Sequence, residues 1–316
     1  MQSTNFIFKS EDSLEIYVYK WEPERNTNIK GVVQIAHGMA ETAARYEGFA
    51  EVLTENGYIV YINDHRGHGK TAKNIENVGY LAEKDGFEWL VKDMHTLTDI
   101  IKKENKDLPI FLLGYSMGSF LTQRYIMLYG KELKGAILYG SNGRQGLILR
   151  IGLLVSKLEI KKNGVKAKSQ ILNDLIFGGY NKPFKPNRTK FDWLNRNNEE
   201  VDKYIKDPFC GTVFTCSFYY DFFKCLIEIE NKKNLKTVSR DLPIYIFSGG
   251  KDPVGKSGKG VKRLVETYES LGVKDLTFKL YKDGRHDMLN EINKDEVVED
   301  VLAWLSRYSL KVLKTI

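Results

Sequence analysis

Ser116 stands in the pattern Gly114-Tyr115-Ser116-Met117-Gly118. A serine is a poor nucleophile at neutral pH, so one that does chemistry needs a base, an acid to orient that base, and donors for the negative charge that develops. Glycine-flanked serines are common in ordinary turns, and the pattern by itself is weak. Its setting is more informative. Residues 108–113 (LPIFLL) read as a buried strand, and residues 119–129 carry apolar side chains at helical spacing up to Gly130. A sharp strand-to-helix turn places such a serine at the top of a sheet, beside a helix N-terminus that favours negative charge.

The partners fall at other strand ends. Asp252 follows the apolar run 243–248, and His286 follows 276–281. Of five histidines, only His286 comes after Asp252. Asp283 and Asp287 are rival acids, but immediate neighbours of a histidine more often serve turns or ion pairs, so Asp252 is preferred. His37-Gly38 ends the run 31–36. A glycine there lets the backbone expose an N–H which, with the N–H of Met117, can hold the oxyanion of a tetrahedral intermediate; alone, His-Gly is an ordinary turn. His65 and His68 lie in the loop 64–71 (DHRGHGKT). They lack metal-ligand spacing and read as a structural loop in which Asp64 and Arg66 hold turns and ion pairs. His95 reads as an ordinary helix residue.

A second pattern competes for Asp252. Gly250-Lys251-Asp252-Pro253-Val254-Gly255-Lys256-Ser257 satisfies G-x-x-x-x-G-K-S, the phosphate-binding loop of nucleotide-binding proteins. Pro253 lacks an N–H inside that cradle, and Asp252 puts negative charge where phosphate would sit. Nucleotide binding is therefore the weaker reading.

These residues need a frame to bring them together. Strand-like runs at 31–36, 58–63, 109–114, 135–139, 243–248 and 276–281 alternate with helical patterns at 45–56, 86–103, 119–129, 260–271 and 297–309, after an antiparallel start at 5–8 and 14–21. That alternation implies a mainly parallel sheet flanked by helices. Residues 142–241 break it with helical patterns at 147–158 and 217–229 and no clear strand, too long a stretch for a structureless loop. The expected organisation is a core of residues 1–141 and 242–316 with a helical cap inserted at 142–241.

The chain has 316 residues, 42% hydrophobic and 28% charged, which suits a globular protein with a substantial core. Its net charge of +7 sits in one place: residues 142–207 hold 14 Lys and Arg against 7 Asp and Glu, and the remainder is balanced. This basic segment can attract an anionic membrane surface, and the apolar stripe 147–154 either dips into lipid or packs onto the core. No run approaches the length of a membrane span, and the first ten residues lack the features of a signal peptide. Three clustered cysteines, Cys210, Cys216 and Cys225, suit a reducing compartment, so a cytoplasmic location is expected. No metal, cofactor or nucleic-acid partner is expected.

Taken jointly, His37-Gly38-Met39-Ala40-Glu41 followed by Arg45-Tyr46, the loop 64–71, Gly114 to Gly118, Gly250 with Asp252, and Gly284-Arg285-His286 make the chain resemble the α/β-hydrolase superfamily. The resemblance is strongest to its monoacylglycerol lipase and lysophospholipase branch. It implies Ser116 as nucleophile, His286 as base, Asp252 as orienting acid, and the N–H groups of Met39 and Met117 as the oxyanion hole. It also implies the helical cap, which matches weakly through Asp207-Pro208. Glu41 is a candidate contact for the alcohol part of a glycerol ester, although a carboxylate at a helix start explains it equally well. The reaction implied is ester hydrolysis through an acyl-enzyme, on a small-molecule or single-acyl lipid ester. A short-chain carboxylesterase and a non-catalytic lipid-binding protein are the alternatives.

Overall fold

Eight strands form a single sheet in the computed structural model, which describes residues 1–310. In chain order they are β1 (Gln2–Lys9), β2 (Glu15–Glu22), β3 (Gly31–Ala36), β4 (Tyr58–Asn63), β5 (Ile110–Tyr115), β6 (Gly135–Tyr139), β7 (Ile244–Gly249) and β8 (Leu276–Tyr281). Across the sheet they run β1-β2-β4-β3-β5-β6-β7-β8. β1 pairs antiparallel with β2, and β2 with β4; all other neighbours are parallel. The expected parallel sheet with an antiparallel start is the one observed. Residues 311–316, assigned from the sequence to the core, lie outside the described residues.

The central strands read as continuous apolar runs because both of their faces are covered. Side chains alternate across a strand. Val32, Ile110, Leu112, Leu138 and Ile246 therefore pack with α2 (Gly86–Glu104), α3 (Met117–Tyr129) and α9 (Lys259–Ser270). Their neighbours Val33, Phe111, Leu113, Ile137 and Phe247 pack with α1 (Glu47–Glu55) and α10 (Lys294–Ser306).

Between β6 and β7 the chain forms α4 (Leu147–Asn163), α5 (Gln170–Phe177), α6 (Asn198–Lys206), α7 (Cys216–Ile229) and α8 (Lys232–Leu235), with no strand. α7 fastens this insertion to the core by packing on α2 and α3. Asp221 of α7 accepts the N–H of Gly86 at 2.7 Å, which places a carboxylate at the positive end of α2. α4 packs on α7 through Leu149, Gly152 and Ser156. The apolar stripe of α4 divides: Leu149 is buried in the core and Leu153 packs against it, while Leu147, Ile151, Leu154 and, one turn on, Leu158 are each more than half exposed.

Candidate functional site

β5 ends in a turn that forces Ser116 into a backbone conformation with φ 50° and ψ −116°. Such a conformation is strained for any residue but glycine and persists only where the surroundings impose it. Here they do so by close packing. A Cβ on Gly118 would lie 1.9 Å from the carbonyl oxygen of Ala36, so α3 can leave the turn only along the end of β3. The N–H of Ser116 is tied to the carbonyl of Tyr139 at 3.0 Å. The serine is thus fixed over three neighbouring strand ends.

His286 reaches it from the loop after β8. Its Nε2 lies 2.9 Å from Ser116 Oγ and its Nδ1 lies 2.9 Å from Asp252 Oδ1. Asp252 is fully buried just past β7; it also accepts the N–H of Val254 at 2.9 Å and the hydroxyl of Ser248 at 3.2 Å. With Nδ1–H donated to the carboxylate, Nε2 is left as the acceptor that faces the serine hydroxyl. The rival acids have other partners. Asp283 pairs with Lys251 at the surface, and Asp287 faces Arg45 and Asn290.

The loop after β3 supplies the remaining groups. Neither Met39 nor Met117 donates its N–H to a protein acceptor among the described residues. Ala40 adopts φ 57°, and its carbonyl accepts from Gly211 N–H at 2.9 Å and Tyr204 O–H at 2.8 Å, so the insertion holds this loop in place. Glu41 is buried, and one of its oxygens accepts both the Gly38 N–H at 2.6 Å and the Tyr46 hydroxyl at 2.8 Å. Burial pushes its carboxyl up to about 7, outweighing the nearby Arg45 guanidinium. The loop 64–71 lies beneath. Arg66 bridges Asp93 and Asp12, and Asp64 accepts from the N–H groups of Ala43 and Lys70. His65 and His68 pack around His37 as neutral rings with burial holding all three below the usual histidine range.

The phosphate-loop pattern is accounted for by the same geometry. Among residues 250–257, the N–H groups of Gly250, Lys251, Asp252, Lys256 and Ser257 donate to backbone carbonyls, and that of Val254 to Asp252 itself. A loop with its donors so committed cannot cradle phosphate.

Several residues at this site were not singled out from the sequence. Trp193 of the insertion lies against His286, and Tyr115 flanks the same ring. Leu194 accepts the N–H of Asp287 at 2.8 Å, and Asn195 donates to the Asp287 carbonyl at 3.0 Å. Arg285 donates to the carbonyls of Asp192 and Asn195, and Arg196 pairs with Glu291 at 2.8 Å. Residues 192–196 thus form a strap bonded to both sides of His286. They lie between helices, where no periodicity marks them. Gly140 was also unmarked, yet with φ 60° and a would-be Cβ 2.9 Å from the His286 ring it leaves room only for glycine.

Two cavities meet at Ser116, sharing Met39, Ser116 and Phe177. The first, about 300 Å³, presents polar groups including Glu41, Asn173, Asn181, Lys190, Tyr204 and Thr212. The second, about 220 Å³, is lined largely by apolar side chains such as Leu149, Ile176, Phe222, Phe223 and Leu226.

Comparison with known proteins agrees with this frame. Residues 27–293 match the family model described as Serine aminopeptidase, S33. A monoacylglycerol lipase of Mycolicibacterium smegmatis is 28% identical over 290 residues, covering 90% of each chain. The monoglyceride lipase of Mus musculus is 26% identical over 302 residues, covering 93% of this chain and 88% of its own. The crystal structure of a thermostable carboxyl esterase from Bacillus coagulans in complex with glycerol superposes with a TM-score of 0.89 at 28% identity, covering 98% of this chain and 99% of its own.

Proposed function

This chain belongs to the Serine aminopeptidase, S33 family of α/β-hydrolases, and from that premise we propose that it hydrolyses esters of single-acyl lipids, monoacylglycerols or lysophospholipids. The observation that carries the reading is the position of Ser116 at the junction of an apolar cavity and a mixed one, in which Glu41, Asn173, Asn181 and Lys190 stand beside Phe191 and Trp193. The acyl chain occupies the apolar one and the alcohol the mixed one, where its hydroxyls have polar partners. An aminopeptidase needs a group for the free amine on the acyl side, and no carboxylate lines that cavity. The relatives named above are lipases and an esterase, which agrees with cleavage of an ester.

In this mechanism His286 Nε2 takes the proton of Ser116 as Oγ attacks the ester carbonyl, while Asp252 fixes the tautomer and stabilises the imidazolium. The N–H groups of Met39 and Met117 receive the oxyanion; losing one such donor costs about 10²–10³ in rate. The alcohol leaves with the proton from His286, and water, deprotonated by the same nitrogen, releases the acid. Glu41 holds the turn that presents Met39, and its second oxygen, 3.4 Å from Arg45 Nε, lies on the side of the cavity that takes the alcohol.

Residues 142–241 act as the cap. The exposed stripe of Leu147, Ile151, Leu154 and Leu158, interleaved with Arg150, Lys157, Lys161 and Lys162, fits the surface of an anionic membrane, where such substrates reside. No helix among the described residues is long and apolar enough to cross a membrane.

The test is an activity panel over acyl length and head group, with an aminoacyl anilide included and Ser116→Ala as the blank. Hydrolysis of long-chain monoacylglycerol or lysophospholipid is expected. Cleavage of short soluble esters alone would leave a carboxylesterase. Absence of fluorophosphonate labelling at Ser116 in folded protein would favour a binding protein.

A further inference from the structure

Behind the apolar cavity lies another that the proposed reaction does not use. It encloses about 380 Å³ at the root of the cap, bounded by the loop from β6 to α4, the end of α7, α8 and α9. Phe120, Asn142, Gln145 and Leu226 line both this chamber and the apolar cavity next to Ser116. A thin wall of side chains therefore separates them. Inside, Ile229, Leu235, Leu264 and Leu271 present hydrocarbon.

Its lining also carries three cations, Arg144, Lys232 and Lys236, all exposed. Glu230 is the only carboxylate among the lining residues, and its two oxygens accept the N–H groups of Gln145 at 2.5 Å and Gly146 at 3.2 Å. The three cations make no ion pair among the described residues. Apolar walls exclude a small hydrophilic anion, and unpaired cations give a neutral lipid no advantage over water.

The geometry points to a second lipid site in this chamber, one that takes a long-chain carboxylate with its tail against Leu264 and Leu271 and its head group at Arg144, Lys232 and Lys236. A carboxylate of this kind is what ester hydrolysis releases, so the acid product has a place to bind after it leaves Ser116. That last link rests on the proposed reaction; the site itself does not.

The probe is cis-parinaric acid, a fluorescent long-chain acid, titrated into protein whose Ser116 has been blocked with a small fluorophosphonate. One saturable site per chain is expected, displaced by dodecanoate and far less by dodecanol. The triple variant Arg144→Glu, Lys232→Glu, Lys236→Glu is expected to weaken binding tenfold or more. These residues are exposed, so folding is not at stake, and a matching melting temperature checks it. Leu264→Trp, which fills the chamber, is expected to remove the site. Binding that survives charge reversal, equal displacement by the alcohol, or no saturable site would overturn the inference. If the fluorophosphonate fails to label Ser116, the proposed reaction is in question, while the charge-reversal comparison still reads the second site in unmodified protein.

Discussion

The indole of Trp193 lies over the imidazole of His286, with ring centroids 5.1 Å apart and planes tilted by 35°. One ring belongs to the helical stretch between β6 and β7 and the other to the loop after β8. In the proposed reaction His286 takes the serine proton and becomes a cation facing an aromatic ring, an interaction worth about 1–2 kcal/mol when desolvated. Trp193→Leu is expected to lower kcat by about five- to thirtyfold, with Trp193→Phe recovering part of the loss. Steady-state kinetics on one soluble ester, alongside melting temperatures, reads this; equal kcat for Leu and Trp would remove the role.

Asp252 makes three side-chain hydrogen bonds, and the one to His286 is the bond that sets the imidazole tautomer. Asp252→Asn keeps the shape but turns the imidazole to the wrong tautomer. The expected result is a fall in kcat of about 10⁴ with KM little changed. A fall of less than tenfold would shift the role to another carboxylate.

His37, His65 and His68 are buried as neutral rings, with His68 pushed down to about 4 by desolvation. A group whose folded pKa is depressed contributes stability above its unfolded value, near 6.5, and loses it as pH falls toward the folded value. His68 alone should therefore withdraw about 3 kcal/mol of stability between pH 6.5 and 4, while Glu41, pushed up to about 7, and Asp221, pushed up to about 6, act in the opposite sense as they take up protons. Urea titrations across that window test it. The difference in slope between the parent and His68→Gln reads the ring's share, and identical slopes would exclude it.

The two glycines 118 and 48 provide a contrast in one experiment. Gly118→Ala drives a Cβ into the Ala36 carbonyl, backbone against backbone, whereas Gly48 in α1 has open space around it. The first change is expected to cost about 3 kcal/mol or more, and the second to be neutral or stabilising by up to about 1 kcal/mol. Denaturant midpoints of the two variants measure the difference, and similar midpoints would contradict the close packing at the serine turn.

Leu154→Glu with Leu158→Glu places charge in the exposed stripe of α4 without touching either cavity at Ser116. Flotation with anionic vesicles should show at least tenfold weaker association than the parent, and salt should weaken the parent too. Unaltered flotation would remove the stripe as the proposed membrane contact.

The positions of Ser116, Asp252 and His286 were legible because each follows a buried apolar run, and such runs mark strand ends whatever surrounds them. The structure brings those three side chains within hydrogen-bond reach. Trp193 and Asn195 were not legible for the opposite reason. They lie in a stretch ordered by side-chain bonds to distant loops, and such bonds leave no period in the sequence. α5 and α6, of eight and nine residues, were too short to stand out from polar surroundings. The fate of the α4 stripe was undecidable from its pattern, because a helix packed on a core and a helix facing lipid share one periodicity.

The strap at 192–196 and the bonds from Tyr204 and Gly211 to Ala40 divide the insertion into parts with different freedom to diverge. Residues 192–211 carry the bonds to the loops they fasten, whereas residues 147–177 reach Ser116 and His286 through cavity walls and the contact of Phe177 with Trp193. A chimera that imports the whole insertion from another hydrolase brings foreign fastenings to His286 and inherits a misaligned base. Exchange of α4 and α5 alone leaves the base seated, which makes that segment the natural unit for redesigning which lipids the enzyme accepts.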